Sequence, residues 1–408
     1  MNKLYPTLSK YIQADPNSIT IDLNKSHGSW LVDDEGRERL DLFSQYASQP
    51  LGWNYPEVLA QRDRLYQIAH HNIANSDFYT KEYADFVETF GTFASDFNHF
   101  FFISGGTLGV ENALKAAFDY KAKKNGWSGE KVNQLDVIHF RNAFHGRSGY
   151  TLSLTNTTPD KTEGFPKFDW TRVNVPDDDE DGISEDEVLD EIIERIYDNN
   201  DVAAIIIEPI QGEGGDKHFS PSFMQDLRKV ADEFDVMLIL DEVQTGLGLT
   251  GKTWAYEHYG IIPDMISFGK KVQVCGFAST GKIDTVPDNV FKVKSRINST
   301  WGGNLVDMVR STICMEIIKN KGLIQNAADV GLYFQNKLAT LGLENLRGKG
   351  LMIAFDLPNT EERNKFLERL HEKAVAIKCG QKSVRLRPHL TFGKSDADNA
   401  VDLIRSCL

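Results

Sequence analysis

The stretch Val236-Met-Leu-Ile-Leu-Asp241-Glu-Val-Gln-Thr-Gly246 decides the fold. An unbroken apolar run enters an aspartate, the pattern of a strand buried on both faces of a parallel sheet. Similar runs lie on either side, at His99–Ile103, Val137–Phe140, Ala203–Ile207 and Met265–Phe268. Helical spacing separates them: Val110, Ala113, Leu114, Ala117 and Phe118 form one apolar stripe and Phe223–Phe234 carries another. Repeated strand–helix units predict an α/β core with its site at the carboxyl ends of the strands.

The last hundred residues read differently. A long helical stretch from Leu305 leads to Leu351–Asp356, a helix over Glu361–Lys373, Ala374–Lys378, Val384–Arg387 and a terminal helix from Asp396. That mixture predicts a smaller α+β domain over 305–408, beside a large domain over 51–304. Residues 1–50, with a hairpin candidate in Trp30-Leu-Val-Asp-Asp-Glu-Gly-Arg-Glu-Arg-Leu-Asp-Leu42, are expected to pack with the small domain.

The chain has 408 residues and a net charge of −14. A surface that negative repels phosphate backbones and anionic lipid, so nucleic acid and membrane are poor partners. No apolar run approaches the ~20 residues needed to span a bilayer. The opening Met-Asn-Lys-Leu-Tyr-Pro lacks a secretory h-region, and Cys275, Cys314, Cys379 and Cys407 are widely spaced. A cytoplasmic protein with reduced thiols is expected.

Two motifs carry less chemistry than their outline suggests. Asp177-Asp-Asp-Glu-Asp-Gly182 begins like a calcium loop, but the twelfth position, which needs a bidentate glutamate, is Val188, so the run reads as a solvated loop. Gly246-Leu-Gly248-Leu-Thr-Gly251 matches a dinucleotide fingerprint, yet Asp241–Thr245 separates it from its strand and an aspartate there repels phosphate. The histidines form no HExxH or Cys/His cluster, so no metal site is expected.

Four other places fit together. Ser104-Gly-Gly106-Thr107 is a glycine turn between strand and helix, suited to a phosphate. Asp241 at a strand end is a buried carboxylate that needs a cation, such as a protonated pyridine nitrogen. Lys270, in Ser267-Phe-Gly-Lys-Lys271, ends another strand, where burial favours the neutral amine that forms Schiff bases. Phe144-His-Gly-Arg147 offers a ring to stack and a guanidinium to grip a carboxylate. Together they describe a pyridoxal phosphate site.

These segments, with Glu208-Pro-Ile-Gln-Gly-Glu213-Gly and Ser299-Thr300-Trp-Gly-Gly-Asn304, occur in the order found in the subgroup III aminotransferases. The chain resembles that family from about residue 20 to its end. The resemblance implies the fold type I of pyridoxal phosphate enzymes: a mostly parallel central sheet flanked by helices, plus a smaller α+β domain. It implies Lys270 as the Schiff-base lysine and proton shuttle, with Asp241 on the pyridinium nitrogen. Phe144 and Val243 are implied on the two ring faces, Gln244 near the ring hydroxyl, and Gly106 and Thr107 on the phosphate. Thr300 is implied to reach the phosphate of a neighbouring subunit, which makes a homodimer the expected active unit.

Within the family the chain is most similar to the members acting on the 6-amino group of L-lysine, with 2-oxoglutarate as acceptor. Gly248-Leu249-Thr250-Gly251 stands where most of the family has Gly-Arg-Thr-Gly, as in those members, whereas Thr107 replaces their frequent alanine. By the same resemblance Arg147 takes the far carboxylate of lysine and Arg387 a carboxylate of 2-oxoglutarate. Glu213 is the switch expected to pair with Arg387, and Asn298 helps position substrate. Ornithine, 4-aminobutyrate and diaminobutyrate are the alternative amines. A racemase or decarboxylase needs no such switch, a binding protein has no use for Lys270, and a dehydrogenase binds nicotinamide instead.

Overall fold

The computed structural model describes residues 2–176, 182–198 and 201–408; the acidic run of 177–181 lies outside them. A seven-stranded sheet forms the centre. Its spatial order is His99–Ile103, Cys275–Ser279, Met265–Phe268, Met237–Asp241, Val202–Ile207, Asp136–Phe140 and Arg172–Val173. Cys275–Ser279 runs antiparallel to both of its neighbours, and the other pairings are parallel.

Burial on both faces explains the unbroken apolar runs. Ile205, Ile207, Leu238 and Leu240 enter one core, while Ala204, Ile206, Met237 and Ile239 enter another, as period-2 alternation requires. The helix Gly106–Lys124 supplies Val110, Ala113, Leu114 and Ala117 to the second core. Helices Lys81–Phe93, Pro221–Glu233 and Leu305–Asn320 fill the first with Phe86, Phe90, Phe223 and Met308.

The helix Gly106–Lys124 lies so close to the sheet that a Cβ on Gly109 would stand 2.6 Å from the carbonyl oxygen of Gly276. This contact fixes where the helix begins, and the site lies at that beginning.

The helical stretch predicted from Leu305 is two helices, Leu305–Asn320 and Leu323–Ala339, because Gly322 turns left-handed at φ 62° between them. A four-stranded antiparallel sheet follows, in the order Glu344–Lys349, Met352–Asp356, Ser383–Leu386, Ile377–Cys379. The hairpin Trp30–Val32 and Glu38–Asp41 forms as predicted, and Ala374–Val375 adds to it in parallel, joining the N-terminal strands to the C-terminal segment. Among the described residues no helix is long and apolar enough to cross a membrane.

Alanine normally stabilises a helix relative to glycine by up to about 1 kcal/mol. Gly109→Ala should reverse that sign and lose about 1–3 kcal/mol in denaturant unfolding, because the methyl meets a backbone carbonyl that cannot rotate away.

Candidate active site

A cavity of about 630 Å³ opens at the carboxyl ends of the central strands. Gly106, Thr107, Phe144, Arg147, Val243 and Lys270 all line it, so the structure brings together half of the site residues singled out from sequence. Gly146 of the Phe144–Arg147 segment and Ser48, Gln273, Cys275 and Arg310 complete the wall, and no local pattern marked the last four.

Lys270 follows the strand Met265–Phe268 and Gly269, with φ 45° in the left-handed region, a conformation worth about 1–3 kcal/mol of strain for a non-glycine residue. Burial and the nearby Arg385 guanidinium lower its pKa to about 8, against the opposing pull of Glu213, Asp241 and Glu208. Lys271 is lowered further, to about 7, but its side chain is buried away from the cavity beside the carbonyl of Gln49. Geometry, not acidity, separates the two lysines.

Asp241 ends its strand buried and is held from two sides. His145 Nδ1 donates to Oδ2 at 2.8 Å, while the Ser267 hydroxyl and the Val243 amide donate to Oδ1 at 2.9 and 3.2 Å. His145 Nε2 is buried without a hydrogen-bond partner among the described residues. Glu208, also buried, accepts from the amides of Phe144 and Gly212 at 2.9 and 3.0 Å. Burial, together with Asp241, pushes its pKa up to about 7. Sequence reasoning gave neither His145 nor Glu208 a role; they lie in quoted motifs, but their partners are distant in sequence.

The residues fit pyridoxal phosphate on three counts. No side chain caps the helix Gly106–Lys124, so its first amides are open at the cavity, as a phosphate requires. A Cβ on Gly106 would stand 3.0 Å from Val243, so the glycine turn and this valine are packed together. Asp241 presents a fixed carboxylate, and Lys270 an amine of lowered pKa. Thr107 Oγ1 lies 2.6 Å from both Ser148 Oγ and Thr151 Oγ1.

The arginine assignment needs correction. Glu213 does not pair with Arg387. Its Oε1 accepts from Arg385 Nη2, and its Oε2 lies 3.1 Å from Lys161 Nζ. Burial alone raises a carboxyl, but Arg385 and Lys161 outweigh it and hold Glu213 below its ordinary pKa. Arg387 is committed elsewhere: its Nη2 pairs with fully buried Asp216, Nε donates to Gln244 Oε1 at 3.3 Å, and Nη1 donates to the carbonyls of Ile353 and Leu386. Every nitrogen of that guanidinium already has a partner within the fold. The same bond places Gln244 beside the arginine.

Thr300 and Asn298 are exposed and do not line this cavity. The Thr300 carbonyl accepts from Ser76 Oγ at 3.2 Å, and Asn298 Oδ1 accepts from the Ser299 amide at 2.8 Å. Arg147 lies at the mouth, 5.8 Å from the centre of the Phe144 ring.

Two outcomes follow from these contacts. Arg387→Met removes the cation paired with buried Asp216, so unfolding free energy should fall by about 3–5 kcal/mol. Covalent labelling of Lys270 by an amine-specific reagent, followed by peptide mass spectrometry, should be half-maximal near pH 8. Only the neutral amine reacts, and Glu213→Gln removes an anion that favours the ammonium form, so the midpoint should move to lower pH.

Comparison with known proteins agrees with this geometry. Residues 11–408 match the family Aminotransferase class-III. The L-lysine-epsilon aminotransferase of Mycobacterium tuberculosis is 44% identical, over 100% of this chain and 95% of its own length. That of Streptomyces clavuligerus is 42% identical, over 99% and 93%. The solved lysine aminotransferase of M. tuberculosis in its internal aldimine form superposes with a TM-score of 0.95 at 43% identity, covering 100% of this chain and 98% of that one. With the motifs in order, the cavity built from them and the whole length aligned, the chain belongs to the class-III aminotransferases, enzymes that depend on pyridoxal phosphate.

Proposed function

We propose that this enzyme transfers the 6-amino group of L-lysine to 2-oxoglutarate, giving L-glutamate and 2-aminoadipate 6-semialdehyde, which cyclises to a piperideine carboxylate. The observation that carries the reading is the state of Arg385. Its guanidinium is buried beside Lys270, bound at one nitrogen by Glu213, while Nε and Nη1 have no hydrogen-bond partner among the described residues. Unpaired buried donors cost about 1–3 kcal/mol each, and a carboxylate accepts two at once.

One pocket must take two unlike substrates. Lysine brings only its terminal amine to the reacting end, so Glu213 stays on Arg385 and neutralises it. 2-Oxoglutarate brings a carboxylate next to its carbonyl, and Glu213 must give way. Arg147, at the mouth, holds the far carboxylate in each case.

Pyridoxal phosphate, when bound, supplies an electron sink for the bond being broken. Lys270 holds and returns the proton at the reacting carbon, a task suited to an amine lowered to about 8. Asp241, fixed by His145 and Ser267, would pair with the ring nitrogen and keep it protonated. Phe144 and Val243 would hold the ring between them, Gln244 would serve its hydroxyl, and Gly106 and Thr107 would receive the phosphate.

The reading extends to the assembly. Thr300 sits on an exposed loop outside its own cavity, which suits a residue serving a neighbouring subunit in a homodimer. Asn298 is placed to act from that same loop. A cytoplasmic location and the division into 1–50, 51–304 and 305–408 belong to the same proposal.

Purified protein given pyridoxal phosphate, L-lysine and 2-oxoglutarate should yield glutamate and the trapped cyclic imine together, and Lys270→Ala should yield neither. Glutamate from ornithine or 4-aminobutyrate but not from lysine keeps the chemistry and changes the substrate. Glu213→Ala should slow the lysine half-reaction more than the 2-oxoglutarate half-reaction; equal losses would sink the switch.

A further inference from the structure

We infer that Lys161 is a positioning residue, the second docking point that keeps the Glu213 carboxylate paired when Arg385 is released to the keto acid. The inference rests on the Glu213–Arg385 switch proposed above.

The two carboxylate oxygens of Glu213 are divided between two cations. Oε1 faces Arg385 and Oε2 faces Lys161 Nζ at 3.1 Å. Lys161 does not merely drift near: its Nζ donates to Thr157 Oγ1 at 3.0 Å and lies 5.1 Å from the centre of the Phe144 ring. An ammonium over an aromatic face with a fixed hydroxyl acceptor has its position set before any carboxylate arrives. Lys161 is four-fifths covered, so the pair is only partly screened by water.

The backbone beneath Glu213 cannot supply the motion. It lies in the turn of a short hairpin, Ile210–Gln211 against Lys217–His218. The Gly380 amide donates to the Glu213 carbonyl at 3.0 Å, and Arg347 donates to the carbonyls of Gly215 and Asp216. A change of partner therefore comes from side-chain torsions alone. Rotation can carry Oε1 off Arg385 while Oε2 remains on Lys161. Without Lys161 the released carboxylate is left in a half-buried place with no fixed cation, and that cost falls only on the state that binds the keto acid.

The test compares Lys161→Met and Lys161→Arg with wild type, each as holoenzyme. Half-reactions are followed by cofactor absorbance, and glutarate, an unreactive dicarboxylate, is titrated by calorimetry. Lys161→Met should raise the KM for 2-oxoglutarate and the Kd for glutarate about tenfold, a loss of about 1.4 kcal/mol. The lysine half-reaction should stay within about twofold, since Arg385 still holds Glu213, and Lys161→Arg should recover most of the loss. In a Glu213→Ala background Lys161→Met should change glutarate affinity no further.

Equal losses in both half-reactions overturn the inference, as does an undiminished loss of glutarate affinity in the Glu213→Ala background, which would mean that Lys161 touches the substrate itself. A wild type that exchanges amino groups with glutamate but not with lysine overturns the lysine assignment alone. The Lys161 comparison stays readable there, since glutarate and glutamate carry it.

Discussion

Asp241 ends a strand whose five residues are all buried, so its carboxylate leaves water and has to be met by donors built into the fold. Moving an unpaired carboxylate into the interior costs several kcal/mol, more than most single contacts return. His145, Ser267 and the Val243 amide share that task. Each is itself held: the His145 amide donates to Thr155 Oγ1 at 2.9 Å, and Ser267 lies in the neighbouring parallel strand, in register with Asp241. Glu208 takes the complementary role. Close to Asp241 and raised to about 7, it can share the site without a second full negative charge.

The cations divide into those that hold the frame and those that are free to serve. Arg387 spends every nitrogen on Asp216, Gln244 and two carbonyls. Arg385 spends one on Glu213 and keeps two in reserve. The two arginines stand two residues apart, Arg385 within the strand Ser383–Leu386 and Arg387 just past its end. What distinguishes them is the partner that each meets, a sealed aspartate in one case and a glutamate with a second cation in the other.

That difference marks the limit of what sequence could tell. Strand ends carrying Asp241 and Lys270 were legible because long apolar runs buried on both faces announce themselves. The strand Cys275–Ser279 was not, since Gly276 and Ala278 give it little apolar bulk, and Gly276 has no room for a side chain because a Cβ there would run into the Phe101 carbonyl and the Phe268 ring. Within Val384-Arg-Leu-Arg387 the sequence points to Arg387, and only contact with Asp216, more than 160 residues earlier, shows that arginine committed elsewhere. The His145–Asp241 and Lys161–Glu213 pairs likewise span 96 and 52 residues, beyond any local pattern.

Selectivity in such a site has to come from charge rather than shape. A pocket that only excluded volume would discriminate weakly between chains of similar length, whereas an unpaired buried ion penalises the wrong ligand heavily. The frame around Lys270 is tight: a helix pressed on the sheet at Gly109, a carboxylate fixed from two sides, a hairpin tied by Gly380 and Arg347. Against that frame the Glu213 side chain is the element with two alternative cations in reach. In the function proposed above, its position sets whether an amine meets a neutral pair or a keto acid meets a bare guanidinium. On that proposal a small rotation changes the charge of the pocket without changing its walls, and one rigid site accepts two dissimilar substrates in turn.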